Sequence, residues 1–276
     1  MNRPTIKSGR FSAGADFRCG ENVVIDVADD VILGDRVVLG DNTYLCGRSV
    51  KIGDDFFGYS HWGKRLEVGL GRRSEEDAIL TVGCRCTLHD NKIDLARRVI
   101  IGHDVGLSPE VTIYTHGYWM SCLEGFPCRF APVQIDNGVI VGYRSTILPG
   151  VCVEHYAVIG AGSVVTKNVY TRQIWAGNPA QFVRNVERPV SDGEKNELVD
   201  EILSDYIQSC TYRGIHTEGF DLLSQGTVEI YGCRFHLWSC QIVGKEDERT
   251  DDFRWHLFTR GTRIYTKRPF TKLEKR

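Results

Sequence analysis

Between Ile135 and Tyr170 the chain advances in steps of six residues. An aliphatic residue opens each step, at 135, 141, 147, 153, 159 and 165, and a compact one follows four places later, at Val139, Ser145, Val151, Ala157, Ser163 and Val169. A helical face recurs every 3.6 residues and a pleated face every 2, so neither element produces this period. A short strand followed by a tight turn, repeated, does. Each opening residue then points inward, and the compact residue fits near a corner where Gly and Asn relieve turn strain.

Such a chain winds into a parallel β-helix, each step making one flat side of a coil. The repeat is already present from Glu21, with Val27, Leu33, Leu39 and Leu45 at opening positions and Val31, Val37, Thr43 and Ser49 four places on. It slips near Ile52. Residues 55–79 carry no hexad but do carry Tyr59, His61, Trp62, Lys64 and Arg65, and they read as a loop excursion. An insertion in a solenoid leaves the coil as a loop, often on the binding face. The repeat returns at Val82 and Leu88 and runs through Leu95, Ile101, Leu107 and Ile113, and a second excursion covers 114–133. The blocks sum to roughly seventeen hexads, or between five and six coils of about 18 residues.

The pattern stops near Asn178-Pro179, a turn signal, and a different composition begins near Val190. Ser191 to Glu194 has a helix-start pattern, and Leu198, Ile202, Leu203, Tyr206 and Ile207 recur at helical spacing to about Ser209. Beyond it, Thr227–Tyr231, Arg234–Trp238, Phe253–Phe258 and Thr262–Lys267 read as strands, with Gly244–Asp252 as a loop. The expected division is a β-helix domain over 1–189 and a small α+β domain over 190–276. Aromatics of the second, Phe235, Trp238, Phe253, Trp255 and Phe258, suit a small core more than a sugar-stacking surface.

Thirty-four basic and 36 acidic residues leave a formal net charge of −2. That balance disfavours nucleic acid as a partner. The first residues lack the apolar run of a signal peptide, and no stretch of about 18 apolar residues suits a membrane span. A cytoplasmic protein without membrane insertion is expected. The ten cysteines are scattered through repeat positions such as Cys46, Cys86 and Cys152, which fits small buried apolar residues.

Ile159-Gly160-Ala161-Gly162-Ser163-Val164-Val165-Thr166-Lys167-Asn168, with Ala176-Gly177-Asn178-Pro179-Ala180 after it, resembles the C-terminal coil signature of the hexapeptide-repeat acyltransferases. The resemblance is nearest to sugar O-acetyltransferases of the galactoside and maltose acetyltransferase type, and it covers about residues 20–186. It implies a mainly β protein whose left-handed parallel β-helix departs from the usual crossover hand. It also implies a homotrimer with sites between subunits, and acetyl-CoA lying along the coils as co-substrate.

The same resemblance assigns residues. His116 stands where the family carries its catalytic histidine, and an imidazole titrating near neutrality suits proton removal from an acceptor hydroxyl. His89 falls where relatives carry an active-site asparagine; a catalytic contact and a structural role both stand, with Asp90 and Asn91 as alternatives for that job. Tyr118, Trp119, Glu124 and Arg129 share the second excursion and can shape an acceptor pocket, and Glu124 can orient the imidazole. For CoA the matching positions are Gly142 and Tyr143, then Gly160, Ala161 and Gly162, where a missing side chain admits the pantetheine arm. Thr166, Lys167 and Arg184 match positions at the phosphate end, and Gln181 replaces a frequently basic neighbour.

Other readings are weaker. His103 and His155 occupy corner positions that usually face solvent. Cys84, Cys86 and His89, or Cys122 and Cys128, resemble fragments of a zinc set, but no paired CxxC exists and no metal is expected. The expected activity is acetyl transfer from acetyl-CoA to a hydroxyl of a sugar or polysaccharide precursor. N-acetylation of an amino-sugar nucleotide or a foreign compound, zinc-dependent carbonic anhydrase chemistry, and a non-catalytic trimeric scaffold or glycan binder are the alternatives.

Overall fold

The computed structural model describes residues 2–60, 64–69, 73–186, 190–223, 226–268, 270 and 272–273. His61 and Trp62 of the first excursion lie outside the described residues. Chain contacts divide it into two units, Met1–Glu187 and Arg188–Arg276.

The first unit is a β-solenoid with three sides. Side A is an eight-stranded sheet from Thr5–Lys7 to Val164–Val165. Side B has seven strands, from Arg10–Ala13 to Cys152–Val153. Side C begins at Arg18–Cys19 and ends in the antiparallel hairpin of Gln173–Gly177 with Ala180–Asn185. The chain visits A, B and C in turn, and every contact between successive coils is parallel, as with Ile113 beside Ile147 and Ile147 beside Val165.

All twelve inward positions of the 135–170 repeat are buried, none more than 3% exposed. At the compact positions the polar atoms are satisfied within the corner: Ser145 and Ser163 hydroxyls both donate to the Gly160 carbonyl, at 2.9 and 2.6 Å. Burial without an unmet hydroxyl is what permits Ser in this core.

At the corner between sides B and C, a side chain in five of the coils accepts the backbone N–H of the coil before it. Asp35 takes Ala15, Asp54 takes Asp35, His103 takes Cys84, Asn137 takes His103 and His155 takes Asn137, at 2.8 to 3.3 Å. The Nδ1 atoms of His103 and His155 thus do the work of a carboxylate or amide oxygen, a structural use of exposed histidines. One residue on, the corners are in the left-handed region, where Arg36 pairs with Asp55 and Arg85 with Asp104.

Two expectations need correction. Side A has eight strands against the five to six coils expected, because the N-terminal residues form a coil with a weak pattern and residues 55–79 are not one loop. Phe57–Gly58 and Glu67–Val68 within that stretch are coil strands, paired with Val38–Leu39 and Tyr44–Leu45. Phe56, Leu66 and Val68 fill the core there. The hexads persist but are separated by inserts, which hides the period.

In the second unit, helix α1 (Asp192–Arg213) starts at the expected Ser191, whose side chain and that of Glu194 form a reciprocal cap, and stops at Gly214 in the left-handed region. A four-stranded antiparallel sheet follows. The strand expected at Phe253–Phe258 is instead helix α2 (Glu248–Phe258), which also takes the end of the Gly244–Asp252 loop, and Thr262–Lys267 has no regular structure. Asp247 caps the Arg249 and Thr250 amides, and Phe253 and Leu257, four apart on one face, are both buried. Phe235 and Phe253 are core, whereas Trp238 is 39% exposed under the Lys195 ammonium. The wholly buried Arg254 pairs with Asp251 and donates to the Ile264 and Arg268 carbonyls, tying the irregular segment after α2 to the helix.

Candidate active site

His116 leaves the coil at the corner after the side A strand Thr112–Ile113. Asp94 occupies the same corner one coil earlier, after Lys92–Ile93, which pairs with Thr112–Ile113. Asp94 Oδ2 lies 2.6 Å from His116 Nδ1 and also accepts the Thr115 hydroxyl at 2.6 Å and the Thr115 amide at 3.1 Å. Burial raises the proton affinity of that carboxyl, but the Thr115 hydroxyl, His116 and the Thr115 amide outweigh it and hold the group below the usual carboxylate range. An ionised Asp94 can only accept, so Nδ1 carries the proton and the basic lone pair of a neutral imidazole lies on Nε2.

His116 and Gly117 continue as an antiparallel ribbon with Arg129–Phe130, the base of an arm. The imidazole stacks 5.5 Å from the Phe130 ring, and Tyr118 stacks on the same ring. The arm's tip is apolar and open: Trp119 is 90% and Leu123 95% exposed. Glu124, in the short turn Cys122–Glu124, is likewise exposed. The carboxylate that orients the imidazole is Asp94, and the expectation for Glu124 in that role is corrected.

His89 lies across side A from His116. It sits at the corner between sides C and A, after Thr87–Leu88, with its ring 5.5 Å from Tyr59. Asn91 is fully buried, its Oδ1 accepting the His89 amide at 2.8 Å and its Nδ2 donating to the Ser108 carbonyl at 2.8 Å. Asn91 therefore frames the corner, which corrects its expected contact with substrate. A cleft of about 670 Å³ opens beside it, edged by Lys64, Lys92, Asp90 and Glu110.

No family model matches the chain. It is similar to inferred acetyltransferases. It is 36% identical over 92 residues to YJL218W of Saccharomyces cerevisiae, a stretch that is 32% of this chain and 46% of that one. It is 37% identical over 82 residues to SACOL2570 of Staphylococcus aureus, 30% of this chain and 37% of that one. The chain thus spans about half, or less, of the length of these curated relatives. Among solved structures, the polysialic acid O-acetyltransferase OatWY matches with a TM-score of 0.53 at 18% identity, over 69% of this chain and 93% of that one. A likeness at that identity is one of fold. The chain is a hexapeptide-repeat β-helix protein.

In this hexapeptide-repeat protein the residues expected to meet CoA, Arg184 apart, divide between two edges of side A. Gly142, Tyr143, Gly160, Ala161 and Gly162 lie on the C/A corner, in register above His89, since Leu88, Leu107, Val141 and Ile159 pair in sequence. Thr166 and Lys167 lie on the A/B corner, two coils above His116 and so about 10 Å along the axis at ordinary strand spacing. Arg184 is exposed on the terminal hairpin. Lys167 is exposed as well, and both cations fit a phosphate.

The glycines have a different cause from the one expected. A Cβ on Gly142 would meet the Ala161 nitrogen at 2.5 Å, and one on Gly160 would meet the Ala176 Cβ at 2.8 Å. Coil stacking excludes side chains there whether or not a ligand approaches. Only Gly162 opens to space, at φ +68°. Tyr143 donates its hydroxyl to Glu110 at 2.9 Å, and Lys64 and Arg144 hold the Glu110 carboxyl down to about 2.

Asp94 is the member of this candidate site with the weakest signal in the sequence. The available signal was an acid following an inward position, one coil before the histidine. Among the described residues, no group of three or more His, Cys, Asp and Glu side chains is arranged to hold a metal ion, and no helix is long and apolar enough to cross a membrane.

Proposed function

We propose that the chain is a cytoplasmic acetyl-CoA-dependent O-acetyltransferase acting on a hydroxyl of a sugar or polysaccharide precursor, through a ternary complex. The observation that carries the reading is the 2.6 Å contact of Asp94 with His116 Nδ1, which directs the basic lone pair to Nε2. Nε2 takes the acceptor hydroxyl's proton as that oxygen bonds to the thioester carbonyl carbon. Collapse of the tetrahedral adduct breaks the carbon–sulfur bond, and the imidazolium returns the proton to the thiolate of CoA. Asp94 acts through His116, as a positioning residue.

The split of the residues between the two edges of side A supports a homotrimer. In it the C/A corner of one subunit faces the A/B corner of the next, and His89 reaches the site of a neighbouring His116. Trp119, Tyr118 and Glu124 on the arm, and Lys167, Thr166 and Arg184, serve the acceptor and CoA in this arrangement.

Release of free CoA from acetyl-CoA across a panel of sugars, sugar nucleotides and amines tests it. Acceptor-dependent release that His116→Ala lowers at least about a hundredfold is expected. Full rate in that variant would remove His116 as the base, and a protein that binds no acetyl-CoA would remove the function.

A further inference from the structure

Ala96, Arg97 and Arg98 form the A/B corner one coil before His116. The two arginines there are treated differently. Arg98 is neutralised, with Asp77 at 2.6 Å. Arg97 is half-buried and meets no carboxylate among the described residues; its Nη1 donates to the Ala96 carbonyl at 2.8 Å, and its ion-pairing fork is otherwise unused.

Arg97 is also held in place beside the candidate base. Its backbone N–H donates to Thr115 Oγ1, the hydroxyl that in turn donates to Asp94. Its guanidinium carbon lies 5.2 Å from the centroid of Phe130, the ring on which His116 stacks at 5.5 Å. One aromatic ring thus carries the imidazole and a cation with no carboxylate partner among the described residues. Stacking on Phe130 alone accounts for the packing of the side chain, but a guanidinium left without an anion in a partly desolvated corner calls for one from outside.

We propose that Arg97 receives an anionic group, a carboxylate or phosphate, carried by the acceptor whose hydroxyl His116 addresses. This deepens the acetyltransferase reading and rests on it for the role of His116: the acceptors are acidic sugars. A planar fork binds such a group with two parallel hydrogen bonds and fixes the ring's orientation as well as its charge. The phosphates of CoA are the other source of the same chemistry.

The test is calorimetric titration of the full chain with N-acetylneuraminic acid, glucuronic acid and glucose 1-phosphate against glucose and N-acetylglucosamine. CoA and dephospho-CoA are titrated in parallel. Arg97→Gln, Arg97→Lys, Arg98→Gln and His116→Ala are compared. At least one acidic sugar is expected to bind at least about tenfold tighter than either neutral one. Arg97→Gln removes that preference, Arg97→Lys retains part of it, and Arg98→Gln and His116→Ala retain it whole. In turnover, Arg97→Gln raises KM for the acidic acceptor about tenfold or more with kcat little changed, the pattern of a lost binding contact.

Equal or undetectable binding of acidic and neutral sugars overturns the proposal, as does a preference that survives Arg97→Gln. Weaker binding of CoA in Arg97→Gln assigns the anion to CoA and overturns it too. If acidic sugars bind through Arg97 but no acetyl group is transferred, the acetyltransferase reading fails while this binding site stands.

Discussion

Asp94 Oδ2 and His116 Nδ1 are 2.6 Å apart, joined across one coil by residues 22 positions distant in the chain. The oxygen is shared with Thr115, so the carboxylate is fixed before it fixes the imidazole. Replacing Asp94 with Asn keeps the volume but removes the obligatory acceptor, and the imidazole loses its preference for the Nδ1–H tautomer. We expect kcat for acetyl transfer to fall at least about a hundredfold, with KM little changed. Undiminished kcat in Asp94→Asn, measured by CoA release, would take Asp94 out of the mechanism.

Gly142→Ala should act on stability before it acts on CoA. The added Cβ would press on the Ala161 nitrogen and the Ile159 carbonyl, backbone atoms that the stacked coil cannot move cheaply. A loss of about 1–3 kcal/mol is expected in thermal or urea unfolding without ligand. An unchanged melt with weakened CoA binding would restore the ligand-approach explanation for this glycine.

Asn91→Ala should behave in the same way. It removes the acceptor of the His89 amide and the stronger of two donors to the Ser108 carbonyl, which keeps only the Val111 N–H at 3.4 Å, in a corner with no exposed surface at that side chain. The expected cost is about 2–3 kcal/mol. A raised KM for the acceptor with an unaltered melting temperature would instead mark Asn91 as a substrate contact.

His256 makes the second unit sensitive to mild acid. Burial lowers its pKa to about 4; the charge of Arg260 adds to the lowering, while the Ile202 carbonyl, Asp205 and Asp252 oppose it. An unfolded histidine protonates near 6.5, so as pH falls the unfolded chain binds the proton first. The stability that neutral His256 contributes is complete above about 6.5, falls as pH drops toward about 4, and is gone below that value. His256→Gln should flatten this slope of unfolding free energy between those two pH values. An identical slope in both proteins would exclude His256 as its source.

What the sequence reveals about this molecule follows from how its parts repeat. The inward positions from Ile135 to Val169 are legible because each coil meets the same environment as the last, so a period in the chain is a column in space. Asp94 was not, because its role depends on a histidine one coil away, and nothing local distinguishes it from the other corner acids. The glycines at 142 and 160 match positions where a ligand approaches, but a Cβ at either would also meet the next coil. In the second unit, the aromatic run from Phe253 to Phe258 matches strand composition, and only the cap formed by Asp247 and Thr250 signals the helix.

The arm that carries His116 has a consequence for chain entropy. Along the B/C corner, side-chain hydrogen bonds between successive coils close loops of 18 to 20 residues, as from Asp35 to Asp54, but the coil containing the arm closes one of 34, from His103 to Asn137. Loop-closure free energy grows only with the logarithm of length, by about 0.6 kcal/mol per doubling. The extra residues therefore barely burden the winding of the solenoid. A coil of this kind can lengthen, shorten or exchange its arm while the columns of inward side chains above and below it remain in register.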